Sequence, residues 1–209
     1  MRKLTLTLCA LAVTLSTALY AGLAQPGELA PEILDKTVVI NGETMHVVRT
    51  IYKNNLDIKV LAKDGKEVWR SESLGMQAWD FNLNEKASSL EFEDLDGDKI
   101  PEIIAGATIG DVQSAMYVFK FNPKENTFKA VNFGYKGYPD MGRDFMVSDI
   151  PAPEGQNLFF INNRKIRALG KIYTADGAIP GFYYFELKNG SYICEKQEPV
   201  PPAPSEKKK

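Results

Sequence analysis

Beyond residue 24 the chain sustains no apolar repeat of 3.6 residues; it has short alternating runs broken by Asn-Gly, Asp-Gly and Pro-containing turns. Asn-Gly supplies the two positive φ angles of a tight type I′ turn, so Val38–Ile40, Asn41-Gly42 and Thr44–Ile51 read as a hairpin. Ile58–Ala62 and Glu67–Arg70 around Asp64-Gly65 repeat the pattern, as do Phe182–Leu187 and Tyr192–Glu195 around Asn189-Gly190. If Asn189-Gly190 is a two-residue loop, Leu187 faces Tyr192 and Phe185 faces Cys194, and the four share one apolar face. Cys194 is then a small core residue. Met116–Phe133 gives another hairpin, with Tyr117, Phe119 and Phe121 on one face and Val118 and Lys120 on the other, turning at Asn122–Asn126. Asn157–Ile161 and Ile166–Tyr173 read as further strands. The expected fold is all-β, an antiparallel β-sandwich or barrel-like sheet built of hairpins. The alternative is a small four-bladed β-propeller-like fold: at about 45 residues per blade, the 185 residues after position 24 just suffice, although no repeat is visible.

Composition narrows the function. With 25 Lys+Arg against 27 Asp+Glu there is no general basic field, so nucleic acid is not an expected partner. One His and two Cys make neither a multi-His metal centre nor a disulfide framework. His46, between Met45 and Val47 in a strand pattern, reads as a partly buried, hydrogen-bonded residue. With no second His and Cys194 assigned to the core, a Cys-His or Ser-His-Asp catalytic unit has little support.

The N-terminus carries an address. Arg2-Lys3, the apolar Leu4–Ala21 and Gly22-Leu23-Ala24 have the order of a secretory signal peptide, residues 1–24, with the mature chain starting near Gln25. A membrane anchor is the competing reading, because the apolar stretch approaches the ~20 residues that span a bilayer. Cleavage would leave 23 basic and 27 acidic residues, net −4, and Cys194 as the only thiol. The product is expected to be periplasmic or secreted, with no later membrane span. Residues 25–36 read as a lead-in, 37–196 as a single β domain, and 197–209, with Pro199, Pro201, Pro202, Pro204 and a terminal Lys run, as a disordered tail.

The chemically loaded segment is Phe92–Ile104, FEDLDGDKIPEII. Asp94, Asp96, Asp98 and Glu102 stand at positions 1, 3, 5 and 9 of a loop, and the Ile100 carbonyl stands at position 7. Calcium takes six to eight oxygen ligands, and crowded carboxylates repel one another without a cation. An EF-hand is excluded, because its positions 6 and 12 require Gly and Glu, where this chain has Lys99 and Ala105. The spacing instead resembles the Asp-rich calcium loop of FG-GAP and VCBS (integrin-like) repeats over Glu91–Ala105. The resemblance implies Ca2+ held by Asp94, Asp96, Asp98, Ile100 and Glu102. It departs at position 6, commonly Gly in that family; a non-Gly residue with positive φ is strained by roughly 1 kcal/mol. The competing reading is an Asp-rich turn whose carboxylates cap backbone N–H groups.

A wider resemblance runs from Leu90 to Val131: acidic loop, apolar strand, aromatic strand, then Asn122-Pro123-Lys124. It is similar to periplasmic inhibitors of invertebrate-type lysozyme, which implies a compact antiparallel sheet and a protein-binding role. Asn132–Met146 is the least regular internal stretch and reads as a loop; Tyr135, Tyr138, Arg143 and Phe145 are its candidate partner-binding residues. Ser148–Gln156 reads as a second loop beside it. The expected function is that of an exported, non-enzymatic calcium-binding β-domain that binds a protein or cell-envelope component. The alternative is a secreted hydrolase of envelope glycans with carboxylates as acid and base.

Overall fold

The computed structural model describes residues 30–83, 86–110, 113–147, 158–162 and 165–201. The expected signal peptide, the Ser148–Gln156 loop and the terminal Lys run lie outside the described residues. Among the described residues every regular element is a strand, and the strands form three sheets.

The first sheet is a meander of β1 (Glu32–Ile40), β2 (Glu43–Tyr52), β3 (Asn55–Ala62) and β4 (Glu67–Arg70). The middle sheet is built on β9 (Glu102–Ile109) and β10 (Gln113–Asn122), flanked by β5 (Gln77–Ala78), β8 (Leu90–Glu93), β11 (Thr127–Ala130) and β14 (Asp144–Val147). The third contains β6 (Phe81–Leu83), β7 (Lys86–Ser88), β12 (Asn132–Tyr135), β13 (Tyr138–Gly142), β15 (Leu158–Asn162), β16 (Lys165–Thr174), β17 (Gly177–Lys188) and β18 (Ser191–Pro199). Its order is β13-β12-β18-β17-β16-β15-β6-β7, with β12–β18 and β15–β6 parallel. No sheet closes into a barrel, and the face-to-face stacking of unequal sheets is not that of radially repeated blades.

The turn chemistry sets the register. Asn41 and Gly42 have φ of 52° and 82° between the paired Ile40 and Glu43. Asn189 and Gly190, at 52° and 85°, bring Leu187 opposite Tyr192 and Phe185 opposite Cys194, as the sequence predicts. Lys53-Asn54 makes the same left-handed pair, 50° and 58°, without a glycine to announce it.

Both faces of the middle sheet are buried. Tyr117, Phe119 and Phe121 of β10 share a core with Val47, Ile58 and Val60 of the first sheet. Met116 and Val118, on the opposite face, share another with Phe185, Leu187, Tyr192 and Cys194 of the third. The expected sandwich therefore has an inner layer, and β9 is buried continuously from Glu102 to Ala107 rather than alternating. Lys36 and Arg49 tie the first sheet to β8 and its approach: the Lys36 ammonium donates to the Leu90 carbonyl at 2.6 Å and to Glu91 Oε1 at 3.0 Å, and Arg49 donates to Ser89 Oγ.

Three expectations need correction. The lead-in gives way at Glu32, because Leu34, Val38 and Ile40 pack on the core and the strand pairs from Glu32 to Ile40. The tail begins later than residue 197: β18 pairs to Pro199, and the Val200 N–H donates to the Pro180 carbonyl at 3.0 Å. Asn132–Met146 is not a loop but contains β12, β13 and the start of β14, since Phe133 and Phe145 are core residues and the chain turns back at Gly137, φ 90°.

Gly106 is the tightest point of β9. A Cβ there would lie 2.2 Å from the Trp79 carbonyl oxygen and 3.1 Å from the Phe81 ring. Gly106→Ala is therefore expected to destabilise by about 1–3 kcal/mol. The same change at Gly110, which meets nothing within 4 Å but has φ 66°, carries only the backbone strain. Chemical denaturation of both variants checks the difference.

Candidate functional site

The loop between β8 and β9 is shaped by its own carboxylates. Asp94 accepts from the Gly97 N–H at 2.7 Å and the Lys99 N–H at 3.0 Å. Asp96 accepts from the Asp98 N–H at 3.2 Å, and Asp98 from the Ile100 N–H at 2.8 Å. Such short-range bonds favour turns over continued strand. Gly97 and Lys99 both take left-handed backbone, φ 81° and 70°. The chain thus makes a left-handed turn at position 6 with a lysine.

The side chains also converge. Oxygens of Asp94, Asp96 and Glu102 lie within 4.8 Å of one another, a group that could hold a metal ion. Glu102 opens β9 and is buried, its Oε2 accepting from the Leu95 N–H at 2.7 Å. Burial pushes its carboxyl up to about 7, although the Leu95 N–H and the Lys120 charge pull the other way. Burial likewise lifts the Glu93 carboxyl, helped by repulsion from Asp94 and Glu91.

Lys120 of β10 completes the cluster. Its ammonium donates to Asp96 Oδ2 at 2.5 Å, Asp98 Oδ2 at 2.6 Å and Glu102 Oε1 at 3.1 Å. Burial opposes its charge, but the bonds to Asp96 and Asp98 outweigh that and hold it above the ordinary lysine range. Burial would raise the Asp98 carboxyl too, yet Lys120 and the Ile100 N–H bring it below its usual value.

Of the five residues the sequence assigns to the ion, three converge directly. Asp98 joins them through Lys120, and Ile100 enters as an N–H donor. Both sequence readings of the loop are thus visible at once: capped backbone and convergent carboxylates. Lys120 was not among the expected site residues. Its signal was a single charge inside the apolar run Met116–Phe121, on the face it shares with Val118. The donor set is all oxygen, which suits a hard cation rather than a thiolate- or imidazole-bound metal.

The candidate partner residues separate. Tyr138 is 73% exposed, but Phe145 is a core residue, its ring 5.0 Å from that of Phe185. Arg143 is engaged at the surface, donating to Glu72 Oε2 at 2.6 Å and the Ser73 carbonyl at 3.1 Å. Tyr135 is half-buried and lines a cleft of about 350 Å³, together with Met141, Asp144, Lys171, Tyr173 and Tyr183. Tyr173 and Met141, exposed by 81% and 65%, are the residues sequence reading missed here. His46 is half-exposed and meets Asp35 Oδ1 at 3.2 Å through Nδ1. Cys194 is buried as expected, and burial raises its thiol pKa.

Lys99→Gly is expected to raise stability by about 0.5–1 kcal/mol by relieving the left-handed strain, and Gly97→Ala to lower it by a similar amount. Denaturant midpoints measured in chelator check both signs. Comparison with known proteins returns no match: no family model fits the sequence, and neither the curated proteins nor the solved structures give a significant likeness.

Proposed function

We propose that this chain is an exported, non-enzymatic binding module whose Asp94–Glu102 loop takes up Ca2+ as a structural ion and whose partner is a protein or cell-envelope component. The observation that carries this reading is the division of labour between two sites. The carboxylates are turned onto backbone N–H groups and Lys120, a stabilising arrangement, whereas the exposed Tyr173 and Met141 border a cleft that shares no residue with the loop. Asp94, Asp96 and Glu102 would hold the ion, with Asp98 beside them, as the resemblance to FG-GAP and VCBS loops suggests. An ion there would fix the directions in which β8 and β9 leave the loop.

The hydrolase alternative is less well supported. Glycoside hydrolysis needs two carboxyl groups flanking the substrate; among the described residues Asp144 is the one carboxylate lining the cleft at Tyr173, and Asp140 and Glu195, which line a second cleft, are held by Asn132 and Ser191 and by Lys188. Glu102, although raised, is buried and bonded to the backbone. Export rests on the residue 1–24 pattern, and N-terminal sequencing of the exported chain returning Gln25 would support it.

An ion that binds only the folded state stabilises it by RT ln(1+[L]/Kd), about 2.7 kcal/mol at one hundred times Kd. Calcium is accordingly expected to raise the melting temperature over that in chelator, and Asp94→Ala to remove most of the rise. An unchanged Tm would leave the loop as a turn without an ion. Tyr138→Ala and Tyr173→Ala are expected to weaken retention on envelope extracts without lowering Tm, because neither ring is in the core. The reverse pattern, with binding lost in folded Asp94→Ala and kept in both Tyr variants, would move the partner surface to the loop.

A further inference from the structure

We infer that Lys120 is the resident cation of the Asp-rich loop, standing where a divalent ion would stand and excluding it until the side chain swings out. An ammonium has three N–H donors and no acceptor. Here all three have separate carboxylate partners, Asp96, Asp98 and Glu102, at 2.5, 2.6 and 3.1 Å. Two of those three residues, Asp96 and Glu102, belong to the convergent group that could ligate an ion. Calcium sits 2.3–2.6 Å from its oxygens, so an ion shared by Asp96 and Glu102 would fall against Nζ. Two like charges at that separation repel strongly in a partly buried site. The loop therefore accepts one cation or the other.

The way out is available. The Lys120 side chain is 31% exposed and Asp98, one of its partners, 40% exposed, so the four-carbon stem can carry the ammonium into water without moving β10. Lys99, at the loop position where the related loops commonly have glycine, does not fill this role; the cation comes from a different strand, 18 residues after Glu102. Lys120 acts as a positioning residue: it holds the carboxylates together in the absence of metal and sets the affinity for metal.

The competition rests on the calcium reading; the residency does not, and the experiment separates them. In chelator, Lys120→Met and Lys120→Gln are expected to lower Tm by several degrees, and the loss is expected to shrink when Asp96→Asn is added. In calorimetric titration with CaCl2, both variants are expected to bind more tightly than the wild type, by roughly tenfold or more, since a competing charge has been removed. A merely structural lysine would lower Tm without tightening calcium. If wild type and variants bind calcium with equal Kd, or if Tm in chelator is unchanged by both substitutions, the inference is overturned. If no protein responds to calcium while the Tm loss and its cancellation by Asp96→Asn persist, residency stands and the calcium reading falls.

Discussion

Strands β9 and β10 have no solvent face. Along β9 the side chains from Ile103 to Ala107 alternate between two cores, and along β10 those from Ala115 to Phe119 do the same. A strand buried on both sides can keep polar groups only near its ends, and only if they find partners there. Glu102 and Lys120 are those groups. Both lie toward the same end of the β9–β10 ladder, Ile103 pairing with Phe119; Glu102 accepts from Lys120 and the Leu95 N–H, and Lys120 donates to Glu102 and to Asp96 and Asp98 of the loop. The acidic loop is thus the polar closure of that end of the β9–β10 ladder.

The other polar contacts of the inner layer follow the same logic. Lys36 reaches over from the edge of the first sheet to the Leu90 carbonyl and Glu91, and the Tyr117 hydroxyl donates to the Leu74 carbonyl at 2.7 Å. Lys36 and the Tyr117 hydroxyl, which the stacking draws away from water, each find an acceptor across the layer boundary. Such bonds contribute modestly when made and are expensive to break. They fix how one sheet is laid on the next, a choice that apolar packing alone leaves loose.

Much of this was legible in the sequence because turns are local. Asn41-Gly42 and Asn189-Gly190 determine their hairpins within a few residues, and from the second the burial of Cys194 follows directly. The acidic residues of the loop were legible for the same reason. What could not be read is what comes from afar. Nothing near Asp96 indicates that Lys120 will arrive, and nothing in Asn132–Met146 indicates that β12 will lie parallel to β18, whose partner residues begin at Ser191. Phe145 resembled a loop aromatic because its strand is short and its burial is supplied by Phe133, Tyr183 and Phe185. The two-faced burial of β10 was present as a continuous apolar run, but a run alone does not say how many sheets will cover it.

The order in which the chain visits its sheets has a kinetic meaning. Only the first sheet is made from one contiguous stretch, Glu32 to Arg70. The chain then enters the middle layer at β5, crosses to the third for β6 and β7, returns for β8 to β11, leaves again for β12 and β13, and comes back once more for β14. Neither the middle nor the third sheet can be completed before the other is well advanced, so the two must assemble together through contacts between distant residues. Topologies of this kind fold slowly. During synthesis the meander of β1 to β4 can pair early, but the partner for its apolar face, from Ile103 to Phe128, emerges later; until then that face is exposed surface that a chaperone would have reason to cover.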